Sequence, residues 1–427
     1  MQKFYLVLIT ILAVFTLQAQ DRVKVMSYNL LNYGNVTSYC TTSNNDMNTK
    51  NGYIATIVDY VQPDILAVVE MGSADFAHKR LLDSALNVNG GIQYAKAQKV
   101  NTAGSSIISL VYYNTQKFGV ADVVSLQNTV RDVILVRLFY KSPNLAVTKD
   151  TAFINCIVAH LKAGNGSAER GTRTQMVNQA LGYLSNKYPA GNYLFMGDLN
   201  LYSSNEGAYQ ALLNYSNTAY RFYDPINTPG SWNNNSTYAA VHTQSTHSSS
   251  NGCASGGGLD DRFDFILVSH DILNSNKHIV YVNNSYKTIG NDGKHFNKSI
   301  NSGTNNSVPA NVLTALYNNS DHLPVVLELD LDNTIAGVSD VEKESGLRVY
   351  FENPVHESLN LYISSRSERD VQVELYDISG RVLARKEERI SENSIVRFDL
   401  SGMASGLYFV RITGEGNKLL YSAKVVK

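Results

Sequence analysis

Leu194-Phe-Met-Gly-Asp198-Leu-Asn200 is the stretch on which the reading of this chain turns. An apolar run leads into Gly197, which permits close backbone approach, and then into a carboxylate and an amide two positions apart. In an extended strand such positions face the same side, so Asp198 and Asn200 can hold two polar groups of one ligand together. Other segments share this form, with an acid, amide or imidazole at the end of an apolar strand. Val23–Met26 leads into Ser27-Tyr-Asn29, and Pro63-Asp-Ile-Leu-Ala-Val-Val-Glu70 ends in a carboxylate. Ile157-Val-Ala-His160-Leu-Lys162 ends in an imidazole, Asp264 opens the run through Ser269, and Asp321-His322 precedes a final apolar run. Taken singly, Glu70 reads equally well as a surface turn acid, and His160 reads as a satisfied core histidine.

Around these segments, apolar runs and helical patterns alternate from Val23 to about Leu331. Strands are expected at Val23–Tyr28, Ile65–Val69, Ile107–Tyr113, Val133–Phe139, Phe153–Ala159, Tyr193–Met196, Phe263–Val268 and Val325–Leu329. Apolar residues at three- and four-residue spacing predict helices over Asn51–Val61 and Glu169–Ser185. Strands mixed with helices over this length imply one α/β unit with a large core. Asn227–Gly258 and Tyr286–Val308 are rich in Asn, Ser and Gly and read as surface loops. After a polar stretch come alternating runs at Leu359–Ile363, Val371–Tyr376, Ile395–Phe398, Leu407–Ile412 and Leu419–Val426, the pattern of a small all-β sandwich. The expected division is a leader at 1–20, a catalytic domain at 21–332, a linker at 333–346 and a tail domain at 347–427.

The leader has a short positive start at Lys3, an uncharged apolar run from Phe4 to Leu17 and a small residue at Ala19, the form of a secretory signal peptide. The run is shorter than the roughly 18 residues a membrane span needs. An exported chain without a membrane span, monomeric, is therefore expected. Three cysteines in an oxidising compartment suggest one disulfide and one free thiol, with Cys40–Cys253 as the pair and three free thiols as the alternative. Cys156 lies inside an apolar strand and reads as a small core residue.

Lys and Arg number 36 against 37 Asp and Glu, and only 17% of residues are charged. Residues 21–332 alone hold 22 basic and 23 acidic residues, a net of −1. That balance argues against a protein gripping nucleic acid through a global basic field, and leaves open an enzyme that handles phosphate at one local site.

Together and in this order, Asn29, Glu70, His160, Asp198-x-Asn200, Asp264 and Asp321-His322 resemble the endonuclease/exonuclease/phosphatase superfamily, which includes DNase I-like nucleases and neutral sphingomyelinases. The resemblance spans about residues 23 to 330 and implies a four-layer sandwich of two mixed β-sheets flanked by helices. It implies that Glu70 is the main metal ligand, with Asn29 and Asp321 nearby. The metal is expected to be Mg²⁺, with Ca²⁺ or Mn²⁺ as alternatives. His322, oriented by Asp264, is implied to assist the attacking water or a phosphate oxygen. Asp198 and Asn200 would position nucleophile and phosphate, and His160 would serve as acid, base or phosphate ligand. Arg131, Lys162 and Arg173 are expected to contact substrate phosphate, although each also reads as an ordinary solvated side chain. One departure is that the Ile107–Tyr113 strand carries no acid to brace His160. The implied activity is that of a secreted metal-dependent phosphodiesterase acting on DNA or RNA. A sphingomyelinase- or phosphoinositide-type enzyme is the alternative, and a non-catalytic binding scaffold is disfavoured by the intact residue set.

The tail has its own resemblance. Phe351-Glu-Asn-Pro354, Val373-Glu-Leu-Tyr-Asp-Ile-Ser-Gly380, Gly406-Leu-Tyr408 and the terminal Lys-Val-Val-Lys resemble the type IX secretion sorting domain. This implies the type IX machinery as a partner and a secreted or cell-surface location.

Overall fold

In the computed structural model, residues 21–142, 152–274, 278–331, 347–351, 355, 357–365, 367–391 and 394–427 are described. The expected leader and linker lie outside them. The described residues form two compact units, one of residues 21–142, 152–274 and 278–331 and the other of the described residues from 347 to 427.

Alternation along the strands builds the larger unit. Its strands are β1 (Asp21–Tyr33), β2 (Ile65–Gly72), β3 (Tyr94–Lys96), β4 (Ile107–Asn114), β5 (Phe118–Gln127), β6 (Val133–Tyr140) and β7 (Phe153–His160). They continue with β8 (Tyr193–Asp198), β9 (Phe222–Tyr223), β10 (Asp264–Ser269), β11 (Ile279–Tyr281), β12 (Lys287–Thr288) and β13 (Val325–Leu331). One sheet has the order β11-β13-β1-β2-β4-β3, with β12 also on β13; the other runs β5-β6-β7-β8-β10-β9. Each is mixed, because β1 pairs with β2 and β7 with β8 in parallel while the other pairings are antiparallel.

The helices are α1 (Met47–Val61), α2 (Asp75–Leu81), α3 (Ser167–Lys187), α4 (Gly207–Leu213), α5 (His270–Asn274) and α6 (Ala310–Asn319). Met26, Tyr28, Leu66, Val68, Leu110 and Tyr112 face one way, against Ile54, Ile57 and Val58 of α1 and Val312 and Leu316 of α6. Leu135, Ile157, Phe195, Phe265 and Leu267 of the other sheet pack on Met176, Val177, Leu181 and Leu184 of α3 and Leu212 of α4. The intervening residues, among them Val25, Ala67, Val136, Cys156, Val158, Met196 and Ile266, are fully buried and belong to neither helical layer. β1 and β2 pack on β7 and β8, so these residues fill the space between the sheets. The result is helix, sheet, sheet, helix. Each such aliphatic side chain contributes about 1.5–3 kcal/mol relative to exposure.

Period two then fixes which strand-end residues enter the cleft between the sheets. Asn29 continues the row Val25-Ser27, His160 the row Cys156-Val158, Asp198 the row Leu194-Met196, and Asp264 begins the row Ile266-Val268. Gly197 has φ +129°, and a Cβ there would lie 1.9 Å from the Ala159 carbonyl oxygen. The close approach expected of this glycine is therefore between β8 and β7.

The smaller unit is all-β. It has sheets β14-β15-β18 and β17-β16-β19-β20, with β14 (Leu347–Tyr350), β15 (Ser358–Ser365), β16 (Arg369–Asp377), β17 (Val382–Ile390), β18 (Ser394–Asp399), β19 (Leu407–Thr413) and β20 (Leu419–Val426). Leu359, Leu361, Val373, Leu375, Val410, Ile412 and Val425 form its core. The additional strand β17 sits at a sheet edge, where its run Arg385-Lys-Glu-Glu-Arg389 discourages pairing with another chain. No helix among the described residues is long and apolar enough to cross a membrane.

Candidate active site

Strand register brings the site together. His160 is paired with Asp198 across β7 and β8, and Asp264 with Asp198 across β10 and β8. Three chemistry-bearing side chains therefore stand in one row of one sheet. Opposite them stands Asn29 of β1, whose Nδ2 donates to Asp198 Oδ2 at 3.1 Å and to Glu70 Oε1 at 3.0 Å. One amide thus ties the two sheets together at the cleft.

Glu70 gets there by an irregularity. The pairing of β2 with β4 shifts between Val68 and Met71, and Glu70 has φ +55°. Simple alternation would point position 70 at the helical layer; the bulge turns it into the cleft. Its other oxygen, Oε2, accepts the Asn32 backbone N–H at 3.1 Å and Asn32 Nδ2 at 3.3 Å. Burial, then Asp321, raises the Glu70 carboxyl above its ordinary range, against the Asn29 N–H, His322 and Arg131.

Asp198 is the hub. Besides Asn29, its Oδ2 lies 3.6 Å from His160 Nε2 and 3.7 Å from His322 Nε2, while Oδ1 accepts the Asn200 N–H at 3.0 Å. Burial pushes its pKa up to about 7; His322 opposes this, and Asp264 and Glu70 add to it. Asn200 has φ +50°, and its Nδ2 donates to the Leu161 carbonyl at 3.3 Å.

The two histidines are opposites. His322 Nδ1 bonds Asp264 Oδ2 at 2.8 Å with both groups buried. Burial alone would lower the His322 pKa, but Asp264 and Asp198 together lift it well above the ordinary value. His160 is driven well below its ordinary value by burial and by the charges of Arg131 and His322. Its Nδ1 has no hydrogen-bond partner among the described residues, in keeping with the missing brace on β4. A pair so separated can contribute one imidazolium and one neutral imidazole near neutral pH.

Asp321 has one engaged and one orphaned oxygen. Oδ2 accepts the Ser255 N–H at 2.9 Å and Gln244 Nε2 at 3.4 Å, while Oδ1 is buried with no partner among the described residues. The ligand atoms of Glu70, His160 and Asp198 lie within 4.8 Å of one another. Crowded carboxylates, an orphaned buried oxygen and raised acid pKa values are what a divalent cation would relieve, so the residues fit such an ion.

One expectation is overturned, that for Arg173, and those for Asn29 and Arg131 are refined. Asn29 acts as a bridge, since its Oδ1 accepts the Leu31 N–H at 2.9 Å and its nitrogen serves two carboxylates. Arg173 is fully buried and cannot meet a phosphate. Its guanidinium pairs with Glu206 at 2.6 Å and donates to the carbonyls of Lys162 and Gly164 at 2.7 Å each. It lies on the inner face of α3, so it is neither a phosphate contact nor a solvated side chain. Arg131 lies between surface and site: it donates to the His160 and Leu161 carbonyls at 3.0 and 2.8 Å and feels Glu70 and Asp198. Lys162 remains at the edge, donating to its neighbour's carbonyl.

Gln244 was not found from sequence. Its amide nitrogen lies 2.7 Å from His322 Nε2. A neutral ring accepts that N–H, whereas a protonated ring needs the amide oxygen turned toward it. Nothing in Thr243-Gln-Ser-Thr246 marks it, because the segment is polar and has no period. Trp232 of the same loop is wholly buried against Tyr209 and Phe265, beside the bidentate Arg262–Asp224 pair, and so anchors the loop. His242, also fully buried, faces the carbonyls of Trp232 and Leu259. The Cys40–Cys253 disulfide is formed, joining this loop to the β1–α1 connection, and Cys156 is a buried free thiol.

Residues 350–427 match the secretion system C-terminal sorting domain. This sorting domain marks the chain for export by type IX secretion to the cell surface or the extracellular space. No curated protein matches the chain. Among solved structures, it is similar to an endonuclease/exonuclease/phosphatase from Beutenbergia cavernae (13% identity, 96% of this chain and 100% of that one, TM-score 0.40). A second from Bacteroides vulgatus gives 15% identity, 73% and 100% coverage and a TM-score of 0.45. The human Nocturnin catalytic domain with bound sulfate gives 14%, 73%, 98% and 0.42. Likeness at this level carries no argument about chemistry, which rests on the side chains.

Proposed function

We propose that the larger unit is a divalent-metal-dependent phosphodiester hydrolase, exported with its sorting domain and acting on extracellular nucleic acid. The observation that carries this reading is the buried Asp264–His322 pair facing Asp198, across one cleft from Glu70. Glu70 and Asp321 would hold the ion, with His160 and Asp198 adjoining. When bound, the ion supplies charge neutralisation for the phosphate and the leaving oxygen. Asp198, whose carboxyl burial raises above its ordinary range, stands where a general base for a water molecule is needed. Asn200 orients that water and a phosphate oxygen. His322, protonated and locked in one orientation by Asp264, stabilises the charge that builds on phosphorus-bound oxygen. As the P–O bond breaks, it gives its proton to the leaving oxygen. His160, kept neutral, accepts or donates one hydrogen bond, and Arg131 and Lys162 meet flanking phosphates.

Near-neutral charge fits such a role: phosphate affinity is local, and a hydrolase must release its substrate. The polar loops 227–258 and 286–308 favour nucleic acid over a lipid surface. A phospholipid headgroup is the second reading, favoured by exposed Val36, Tyr39 and Phe76 in the segments that follow β1 and β2. The test is a panel of plasmid DNA, RNA and sphingomyelin with Mg²⁺. Cleavage of DNA or RNA is expected, and His322→Ala should lower it by roughly a hundredfold or more. Unchanged cleavage by that variant, or cleavage persisting in excess EDTA, sinks the mechanism. Activity on sphingomyelin alone overturns the substrate.

A further inference from the structure

Lys50 of α1 is 2% exposed and takes no part in the chemistry above. Its ammonium donates to the carbonyl oxygens of Leu30 at 2.6 Å and Leu31 at 2.9 Å, and to Asn45 Oδ1 at 2.8 Å. All three N–H groups are engaged by neutral acceptors. Burying an ammonium without a carboxylate partner is costly, so this arrangement asks for a reason.

The carbonyls it holds belong to the end of β1, where Leu31 and Asn32 both have left-handed backbones, φ +44° and +51°. Two consecutive residues other than glycine are strained there and need outside support. Asn45 adds to it, its Nδ2 donating to the Leu31 and Asn32 carbonyls at 2.9 and 3.3 Å. The product of this bend is the Asn32 clamp, whose N–H and Nδ2 both fall on Glu70 Oε2. With Oε2 so fixed, Oε1 is the oxygen turned toward Asn29 and His160.

We propose that Lys50 is a positioning residue for the metal site: through the Leu31–Asn32 bend it sets the clamp that aims Glu70. This rests on the reading of Glu70 as a ligand. Burial pushes the Lys50 pKa down to about 7, while Asp321 and Glu70 act to keep its positive charge. That charge would favour their ionised forms and restrain how tightly a cation binds, so the two effects of removing it oppose each other. The geometry favours loss of aim as the larger one, because the clamp touches the ligand and the ammonium does not.

The experiment titrates the full chain, stripped of metal, with Mn²⁺ and follows free ion by electron paramagnetic resonance. Lys50→Met should weaken Mn²⁺ binding by about tenfold, as should Asn32→Ala. The double variant should be within about twofold of Asn32→Ala alone, because both act through one clamp. In cleavage assays the loss should fall on the metal concentration needed, with kcat at saturating metal largely kept. A general packing defect would not produce that split. Should Lys50→Met fail to fold, Asn45→Ala removes part of the same brace and should show the same non-additivity with Asn32→Ala. Wild-type Mn²⁺ affinity in Lys50→Met, tighter binding, or losses that multiply in the double variant would overturn the inference alone. Absence of Mn²⁺ binding by the wild type would instead overturn the metal reading of the site, and this inference with it.

Discussion

Removing the Cys40–Cys253 bridge, as Cys40→Ala with Cys253→Ala, should destabilise the larger unit through its unfolded state. The bridge spans a sequence separation of 213 residues. The chain-entropy relation for a closed loop of that length gives roughly 5 kcal/mol at 25 °C, while measured effects centre on about 2–4 kcal/mol. Little in the folded state opposes the larger figure. Beyond the bridge, the two loops share the Asn44 Nδ2 bond to the Asn251 carbonyl at 3.2 Å, and Cys40 keeps its local bond to Thr37 Oγ1 at 2.8 Å. Trp232 makes the measurement specific: it is the single Trp of the chain and is fully buried in the larger unit, so its fluorescence in urea reports that unit. With a urea slope of about 3 kcal/mol per molar, a loss of about 3–5 kcal/mol moves the midpoint down by roughly 1–1.7 M. The slope itself should rise slightly, because an uncrosslinked unfolded chain exposes more surface. A midpoint shift below about 0.3 M, or an equal shift on reducing the double variant, would refute the loop-entropy argument.

Metal affinity should depend on pH with a definite sign. Asp198 titrates near 7 and Glu70 above its ordinary range, so at pH 5.5 the empty site holds protons that a cation must displace. Apparent Mn²⁺ affinity should therefore rise with pH up to about 7, by roughly tenfold per unit for one displaced proton, and binding should release protons in calorimetry across buffers. A flat profile from pH 5.5 to 7.5 would contradict the raised carboxyls. Arg173→Ala should cost about 3–5 kcal/mol by stranding the buried Glu206 carboxylate, visible in the Trp232 urea transition. Lys162→Ala should leave that transition within about 0.5 kcal/mol and act on KM alone.

The expected strands were legible because apolar runs bounded by polar turns have few other readings. The expected helix at Asn51–Val61 starts four residues earlier, at Met47, where Asp46 caps it by accepting the Thr49 N–H at 2.8 Å. The missed strand β5 shows the limit. Its residues are largely half-buried and its pairing with β6 slips twice, so neither strict alternation nor a continuous apolar run marks it. Arg173 shows a second limit. A basic residue on a polar helix reads as solvated unless its partner is known, and Glu206 lies 33 positions away in sequence.

The site divides along the same line. Residue types at strand ends were readable, because period two and strand register alone carry His160, Asp198 and Asp264 into one row. What each atom does was not readable, because it depends on departures from period two. Glu70 reaches the cleft through a bulge, Asn29 spends its amide on bridging the sheets, and Gln244 arrives on an unpatterned loop. Groups remote in sequence brace the surroundings: Lys50 holds the β1 bend, and the Cys40–Cys253 bridge crosslinks the loop that brings Ser255 to Asp321. Local sequence proposes the reacting groups, and long-range contacts set their angles. A search for the functional residues of such a fold should therefore weigh buried cations and crosslinks behind the strand ends alongside the strand-end acids. Substitutions there would alter metal affinity while leaving every motif intact.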